Sequence, residues 1–178
     1  MIAAAEQVLE EKGVSGFSLR EAARRAGVSP GAPAHHFGNS RGLLTALATQ
    51  GFDRLRQALT QADSAAAAIE RLERMGAAYI DFAQRRPALF SIMWAHELLN
   101  IEDPAYLEAG RAAFNTWERA ATNQDIPVAT SPRNPAPATI AAWAMIHGYA
   151  RLTLDGALKA MPASMQREVL SLLPKPNE

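Results

Sequence analysis

The sequence has 178 residues, enough for one compact unit or for a small domain joined to a medium one. Apolar residues make up 48% of it, and alanine and leucine outnumber the β-branched types, so helices are favoured over strands. Cysteine is absent, which excludes disulfides, thiolate metal sites and cysteine nucleophiles.

The formal charge is zero, but it is divided unevenly along the chain. Residues 1–62 carry seven Lys and Arg against five Asp and Glu, and the remainder carries eleven against thirteen. The sign suits a nucleic-acid partner for the first part, although the difference is too small to identify one. No uncharged apolar stretch of about 18 residues could span a bilayer. The acidic first turns do not resemble a signal peptide, so we expect a cytoplasmic protein without membrane contact.

Apolar spacing and cap residues predict an all-α protein of nine helices. The first helix carries a stripe of Ile2, Ala5 and Val8 and ends at Gly13. The predicted helices span residues 2–12, 19–26, 30–36, 40–62, 65–86, 87–94, 104–121, 138–159 and 164–173. Residues 123–137 hold four prolines and no periodicity, which predicts a loop.

The second and third helices have the clearest start signals. Ser18 and Glu21 have the spacing of a capping box, in which each side chain accepts from the other's backbone N–H. Ser29 and Pro30 favour an N-cap followed by proline at the first helical position. With a turn at Gly27, this spacing indicates a helix-turn-helix pair over residues 18–37. Its small core is predicted from the following residues: Val8, Leu9, Phe17, Leu19, Ala23, Val28 and Phe37.

Three segments carry a resemblance to a known family. The string FSLREAARRAGVS at 17–29, followed by HHF at 35–37 and two leucines at 43–44, closely resembles the N-terminal domain of TetR/AcrR regulators. RPALFSIM at 86–93 is similar to a common segment of their body, and WAMIHG at 143–148 resembles the motif of the WHG-type C-terminal domain. The resemblance implies a DNA-binding domain over 1–46 and a ligand-binding and dimerisation domain over 47–178. It also implies a homodimeric repressor that a small ligand releases from its operator.

Two positions depart from the family pattern. Ala34 stands where a tyrosine is usual, and Ser40 stands where a lysine usually meets phosphate. The chain also starts almost inside helix one, without a basic arm. We expect Pro33 to remove an internal hydrogen bond and to leave the recognition helix short and irregular.

The remaining candidates for DNA contact are hydroxyls, cations, histidines and small residues near helix starts. They are Ser18, Arg20, Ser29, Gly31, Ala32, His35, His36, Ser40 and Arg41. The neighbours Arg24 and Arg25 cannot both face DNA, and we expect one to form a surface ion pair. Few strong phosphate contacts predict modest affinity with a shallow salt dependence.

The body concentrates aromatic and weakly polar residues in helices five to eight, as ligand pockets and ordinary helical cores both do. Together with the resemblance, this mixture favours a pocket for a neutral hydrophobic molecule. The predicted ligand-binding residues are Tyr79, Phe82, Phe90, Met93, Trp94, Phe114, Trp117, Trp143 and His147. Arg151 and Asp155 have the spacing of an ion pair on the face of one helix.

The resemblance places a symmetric dimer interface on helices eight and nine. Its predicted residues are Ile140, Ala144, Leu154, Leu158, Val169 and Leu172. Gly148 and Gly156 would each weaken a helix interior, which suggests a packing or ligand role for them.

Two other classes of protein are alternatives. For an enzyme, His96-Glu97 lacks the second histidine of a zinc-binding H-E-x-x-H motif, and neither a phosphate loop nor a nucleophile elbow occurs. No metal or cofactor is therefore predicted. A helical interaction protein that has lost DNA binding is the other alternative, and Ala34 and Ser40 keep it open.

Overall fold

The structure is a computed structural model that describes residues 1–64, 70–122 and 135–173. The regular elements in these ranges are helices without strands, which confirms the all-α prediction. The α-helices are α1 (Ile2–Lys12), α2 (Leu19–Arg25), α3 (Ala32–Phe37), α4 (Ser40–Ser64), α5 (Arg71–Arg85), α6 (Pro87–Met93), α7 (Pro104–Thr122), α8 (Pro137–Leu154) and α9 (Met165–Leu170), and a short 3-10 helix (His96–Leu98) lies between α6 and α7. None of the described helices is long and apolar enough to cross a membrane.

The chain divides into two compact units that differ from the predicted division after residue 46. The first unit consists of Met1–Asp53 and Arg86–Gly110, and the second of Arg54–Arg85 and Arg111–Glu178. Helix α6 and the start of α7 therefore belong with the N-terminal helices. Local patterns in the sequence carry no sign of this, because the contacts join residues far apart in the chain.

The first unit is built around α1, which packs against both α2 and α6. The side chains of Ala5, Val8 and Leu9 are fully buried there, as the apolar stripe predicts. Helix α4 approaches α6 closely at Gly51, where an added Cβ would lie 2.7 Å from the Met93 sulfur. Val28, by contrast, is 38% exposed, so its predicted place in the core is wrong.

The recognition helix α3 starts later than the sequence predicts. Its N-cap is Gly31, and neither Ser29 nor Pro30 is part of it. Pro33 falls at the second helical position, where a backbone N–H would have no partner inside the helix. The expected loss of an internal hydrogen bond therefore does not arise, and the helix is short, at six residues. Gly27, with a φ of 66°, makes the turn between α2 and α3, and a larger residue would be strained there.

The second unit packs α5 against α8 and α9. Gly76 permits the close approach, because a Cβ there would lie 2.7 Å from Leu170 Cδ2 and 3.2 Å from Ile146 Cδ1. Helix α8 ends at Leu154, since Gly156 adopts a φ of 78° and the Ala157 N–H donates to the Leu152 carbonyl. The predicted extension to residue 159 is therefore wrong, and Gly156 is a helix-ending residue instead of an interior one.

Other predicted bounds differ by smaller amounts. Helix α9 stops at Leu170, before the predicted residue 173. The predicted first turn of helix five, at 65–69, and most of the predicted loop at 123–137 lie outside the described residues.

Candidate nucleic-acid interface

Helix α2 begins at Ser18, as predicted. Ser18 has extended backbone angles, and its hydroxyl oxygen accepts from the Glu21 N–H at 3.4 Å. The other half of the predicted capping box differs, because the Glu21 carboxylate accepts from arginines. Arg24 donates to it at 2.8 and 2.9 Å, and Arg25 donates at 2.9 Å.

Arg25 connects α2 to α1. Its two terminal nitrogens donate to the Glu11 carboxylate at 2.7 and 2.6 Å, while its Nε donates to Glu21. Hydrogen bonds from Arg24 first, and then from Arg25, lower the pKa of Glu21 to about 2. The Arg25 guanidinium is committed to the protein, which confirms that one of the adjacent arginines forms ion pairs.

Arg41, at the start of α4, binds a distant part of the same unit. Its guanidinium donates to the backbone carbonyls of Leu99 at 2.8 Å and Glu97 at 2.9 Å. One turn later, the Thr45 hydroxyl oxygen accepts from the Asn100 N–H at 2.9 Å. The first turns of α4 thus hold residues 97–100 in place, whereas the sequence predicts only a DNA-binding role for Arg41.

The recognition helix presents its side chains unevenly. Gly31, Ala34, His35 and His36 are exposed, whereas Pro33 is buried. The His36 ring meets the Phe37 ring edge to face at 4.5 Å between centroids. Just beyond, the Asn39 side chain accepts from the Gly42 N–H at 3.1 Å and caps α4.

The predicted contact residues therefore lie at the starts of α2 and α4 and on or just before α3. Arg20 and Ser29 are exposed, Ser18 and Ala32 are half-buried, and Ser40 is exposed at the start of α4. Arg20 is exposed, and it makes no ion pair with the residues that the structure describes.

The second unit contains a cluster of aromatic and weakly polar side chains, here called the aromatic cluster: Tyr79, Phe114, Trp143 and His147. The Tyr79 hydroxyl lies 2.8 Å from His147 Nδ1, and the Trp143 ring meets Phe114 edge to face at 5.8 Å. Burial raises the pKa of Tyr79, and it also lowers the pKa of His147, with Arg151 adding to that effect. Both shifts favour the neutral forms, so the cluster has polar groups without formal charge.

Two other buried polar atoms belong to the second unit. The Trp117 side chain is 1% exposed and the Thr139 side chain is fully buried. The Trp117 indole N–H and the Thr139 hydroxyl make no hydrogen bond with the residues that the structure describes.

The nine predicted ligand-binding residues are divided between the units. Phe90, Met93 and Trp94 belong to the first unit, where Trp94 meets Phe52 edge to face at 5.1 Å. Phe82 and Trp117 are buried in the second unit, with the aromatic cluster.

The predicted dimer residues differ in exposure. Ile140 is 40% exposed, Leu172 is 73% exposed and Ala144 is exposed, while the side chains of the other three are half-buried. Leu152, at 48% exposed, lies on the same helix as Ile140, and the prediction omitted it. The predicted pair Arg151–Asp155 is present, at 3.4 Å.

Family models match both parts of the chain. Residues 1–47 match the one described as bacterial regulatory proteins, tetR family, and residues 72–173 match the one described as Tetracyclin repressor-like, C-terminal domain. The chain belongs to the TetR family. It is a TetR-type transcriptional regulator, and since regulators of this family bind DNA and are not enzymes, the catalytic alternative is excluded.

Solved structures agree on the fold. A Rhodococcus sp. RHA1 protein of unknown function is 35% identical, with a TM-score of 0.77 over 96% of this chain and 87% of that one. The TetR-family regulator PfmR from Thermus thermophilus is 22% identical, with a TM-score of 0.59 over 99% and 98% of the two chains. EbrR, a multidrug binding protein complexed with imidazole, is 21% identical, with a TM-score of 0.57 over 99% and 94%. No curated protein sequence matches the chain.

Proposed function

We propose that this TetR-family regulator is a homodimeric repressor that a small hydrophobic ligand releases from its operator. The observation that carries the proposal is the exposed surface of the helix-turn-helix, where Arg20, Ser29 and His35 face solvent. As a DNA-binding regulator, it would act in the cytoplasm.

The small residues of α3 suit close approach to DNA. Gly31 is exposed, with open space around its Cα, and the neighbouring Ala32 has a methyl side chain. Such residues permit contact with base edges and thymine methyl groups in the major groove. The Arg20 guanidinium would pair with a phosphate of the DNA backbone, and the hydroxyls of Ser18, Ser29 and Ser40 would donate to further phosphates.

Fluorescence anisotropy on labelled duplexes from the region upstream of the protein's own gene tests DNA binding. We expect saturable binding that Arg20→Ala weakens about tenfold. Arg85→Ala is the matched control, because Arg85 is an exposed arginine of α5 that pairs with Asp81. If no duplex binds better than unrelated DNA, the helical interaction protein without DNA binding becomes the better description.

Dimerisation is supported by the apolar surface of α8 and the C-terminal residues. Ile140, Leu152 and Leu172 leave apolar area in contact with water, which a second copy of the chain would cover. Two recognition helices about 34–36 Å apart would read adjacent major grooves of one operator. Ala144, Leu154, Leu158 and Val169 complete the proposed interface.

The aromatic cluster is the proposed effector site. Its rings provide apolar area, and the Tyr79 hydroxyl and His147 provide polar groups in uncharged form. EbrR, which shares the fold, is a multidrug binding protein with imidazole bound, which supports a small-molecule site. Phe82 and Trp117, which lie in the same unit, stay predictions, and we leave Phe90, Met93 and Trp94 out of the proposed site because they belong to the first unit.

Release would follow from linkage. A ligand that prefers the conformer with weaker DNA affinity lowers operator binding by the ratio of its affinities for the two conformers. The neutral aromatic dye N-phenyl-1-naphthylamine is a suitable probe, since its fluorescence rises in apolar surroundings.

We expect the dye to bind and to lower operator affinity, and we expect Trp143→Leu to weaken dye binding more than Trp94→Leu does. Trp94 is the matched control because it is an aromatic residue of the first unit. Tight dye binding that leaves operator affinity unchanged would contradict the release mechanism. An equal effect of the two variants would contradict the proposed location.

A further inference from the structure

A groove in the first unit is lined by parts of α1, α3 and α4, by the segment before α7 and by the first turn of α7. Its volume is about 580 Å³, within the range of small-molecule sites. The residues that matter for its chemistry are His36, Phe37, Thr49, Asp53, Asn100 and Asp103. All of them belong to the first unit, so the groove shares no residue with the aromatic cluster.

The charge of this groove is negative. Among the residues that line it, Asp53 and Asp103 carry the formal charges, and neither lysine nor arginine is present. Asp53 is half-buried and makes no hydrogen bond or ion pair with the described residues. Its carboxylate oxygens are therefore available to a bound cation.

Several other polar groups in and beside the groove already bond within the protein. One oxygen of Asp103 accepts from the N–H groups of Ala105 and Tyr106 at 2.9 and 3.1 Å. The Thr49 hydroxyl donates to the Thr45 carbonyl at 2.9 Å. Arg41, on the same helix as Asp53, is held by the carbonyls of Glu97 and Leu99. Among the charged groups of the lining, the open capacity is carboxylate oxygen, at Asp53 and at the second oxygen of Asp103, which selects a positively charged hydrogen-bond donor.

We propose that this groove binds a small organic cation, with an amidinium or ammonium head at Asp53 and a flat apolar body beside Phe37. Phe37 and Ala46 supply the apolar part of the lining. The site depends neither on the operator nor on the effector at the aromatic cluster, so it can be tested on the free protein.

Benzamidine is the probe, and benzamide, with nearly the same shape and no charge, is its control ligand. Calorimetry should detect benzamidinium binding, and the His36 imidazole signals should shift in NMR spectra of the labelled protein. Asp53→Asn should weaken the binding about fivefold or more, because it removes one half of the ion pair. Asp81→Asn is the matched variant, since Asp81 is an exposed aspartate of α5, and it should leave binding unchanged.

Three results would overturn the proposal. The first is benzamide binding as tightly as benzamidinium to the wild-type protein, which needs no variant to be folded. The second is undiminished benzamidinium binding to Asp53→Asn with a native circular dichroism spectrum. The third is benzamidinium binding that leaves the His36 signals unmoved, which would place the ligand elsewhere.

Discussion

Arg25 shows how a charge near a DNA-binding surface can serve the fold. Two carboxylates, Glu11 on α1 and Glu21 on α2, bind the one guanidinium. Because Glu21 also holds Arg24, much of the positive charge of α2 is neutralised by its own protein. The cation left for DNA on this helix is Arg20.

The pairing at Glu21 predicts acid sensitivity. Its pKa is about 2 in the folded protein against an ordinary 4.5, so its stabilising effect is present above pH 4.5 and is lost as the pH falls towards 2. We expect Glu21→Gln to lower the Tm at pH 7, and the difference from wild type to shrink by pH 3. Thermal unfolding of both proteins at pH 7 and at pH 3 measures this difference in Tm. A difference that stays constant with pH would show that the carboxylate charge is not responsible.

His147 predicts a second pH dependence at higher pH. Burial lowers its pKa below 6.5, so the unfolded chain binds the proton more readily than the folded one does. Stability should therefore fall as the pH drops through 6.5, and less so in His147→Gln. Urea unfolding at pH 8 and pH 5.5 measures the effect. His96→Gln, at an exposed histidine, should behave as wild type, and an equal change in both variants would rule out burial as the cause.

At the scale of the element, the sequence predicts a helix start correctly where a side chain hydrogen-bonds the backbone of a residue only a few positions away. Ser18 caps α2 as predicted, because the contact spans three residues. The predicted start of α3 at Ser29 and Pro30 is wrong, although both residue types are common at helix starts. The N-cap is Gly31 instead, and Pro33 is buried at the second helical position. Periodicity extended α8 too far, since a glycine's positive φ is not visible in an apolar pattern.

Helix α8 also carries the prediction on assembly. Ala144 is exposed on it, and a charged side chain is disfavoured in the core of an interface between two copies. We expect Ala144→Arg to convert the proposed dimer to a monomer in sedimentation velocity. Ala3→Arg, at an exposed alanine of α1, should remain dimeric. A dimer that persists in Ala144→Arg would place the interface elsewhere on the chain.

At the scale of the whole molecule, the family and the all-helical fold could be predicted because their signals are local strings and periodicities. The division into units could not, since α6 joins α1 through contacts such as Arg86–Glu6, at 2.6 Å and 80 residues apart. The same limit applies to Arg41, whose acceptors lie 56 and 58 residues away. Its predicted role at DNA competes with a structural one.

The strength of DNA binding follows from these charges and their partners. Arg24 and Arg25 bind carboxylates, Arg41 binds carbonyls, and Ser40 stands where the family usually has lysine. Arg20 is then the exposed cation of the helix-turn-helix that we expect to bind phosphate. Few phosphates would be neutralised, and affinity would depend weakly on salt.

The salt dependence of operator affinity is the most direct test of this account. The logarithm of the binding constant should fall with the logarithm of the salt concentration, with a slope much shallower than about −8. Each neutralised phosphate contributes about −0.9 to this slope, so a value near −8 would require many more phosphate contacts than this surface offers. In a dimer, Arg20→Ala should make the slope shallower by about 2, one contact for each subunit. A wild-type slope of about −8 or steeper, or an unchanged slope in Arg20→Ala, would contradict it.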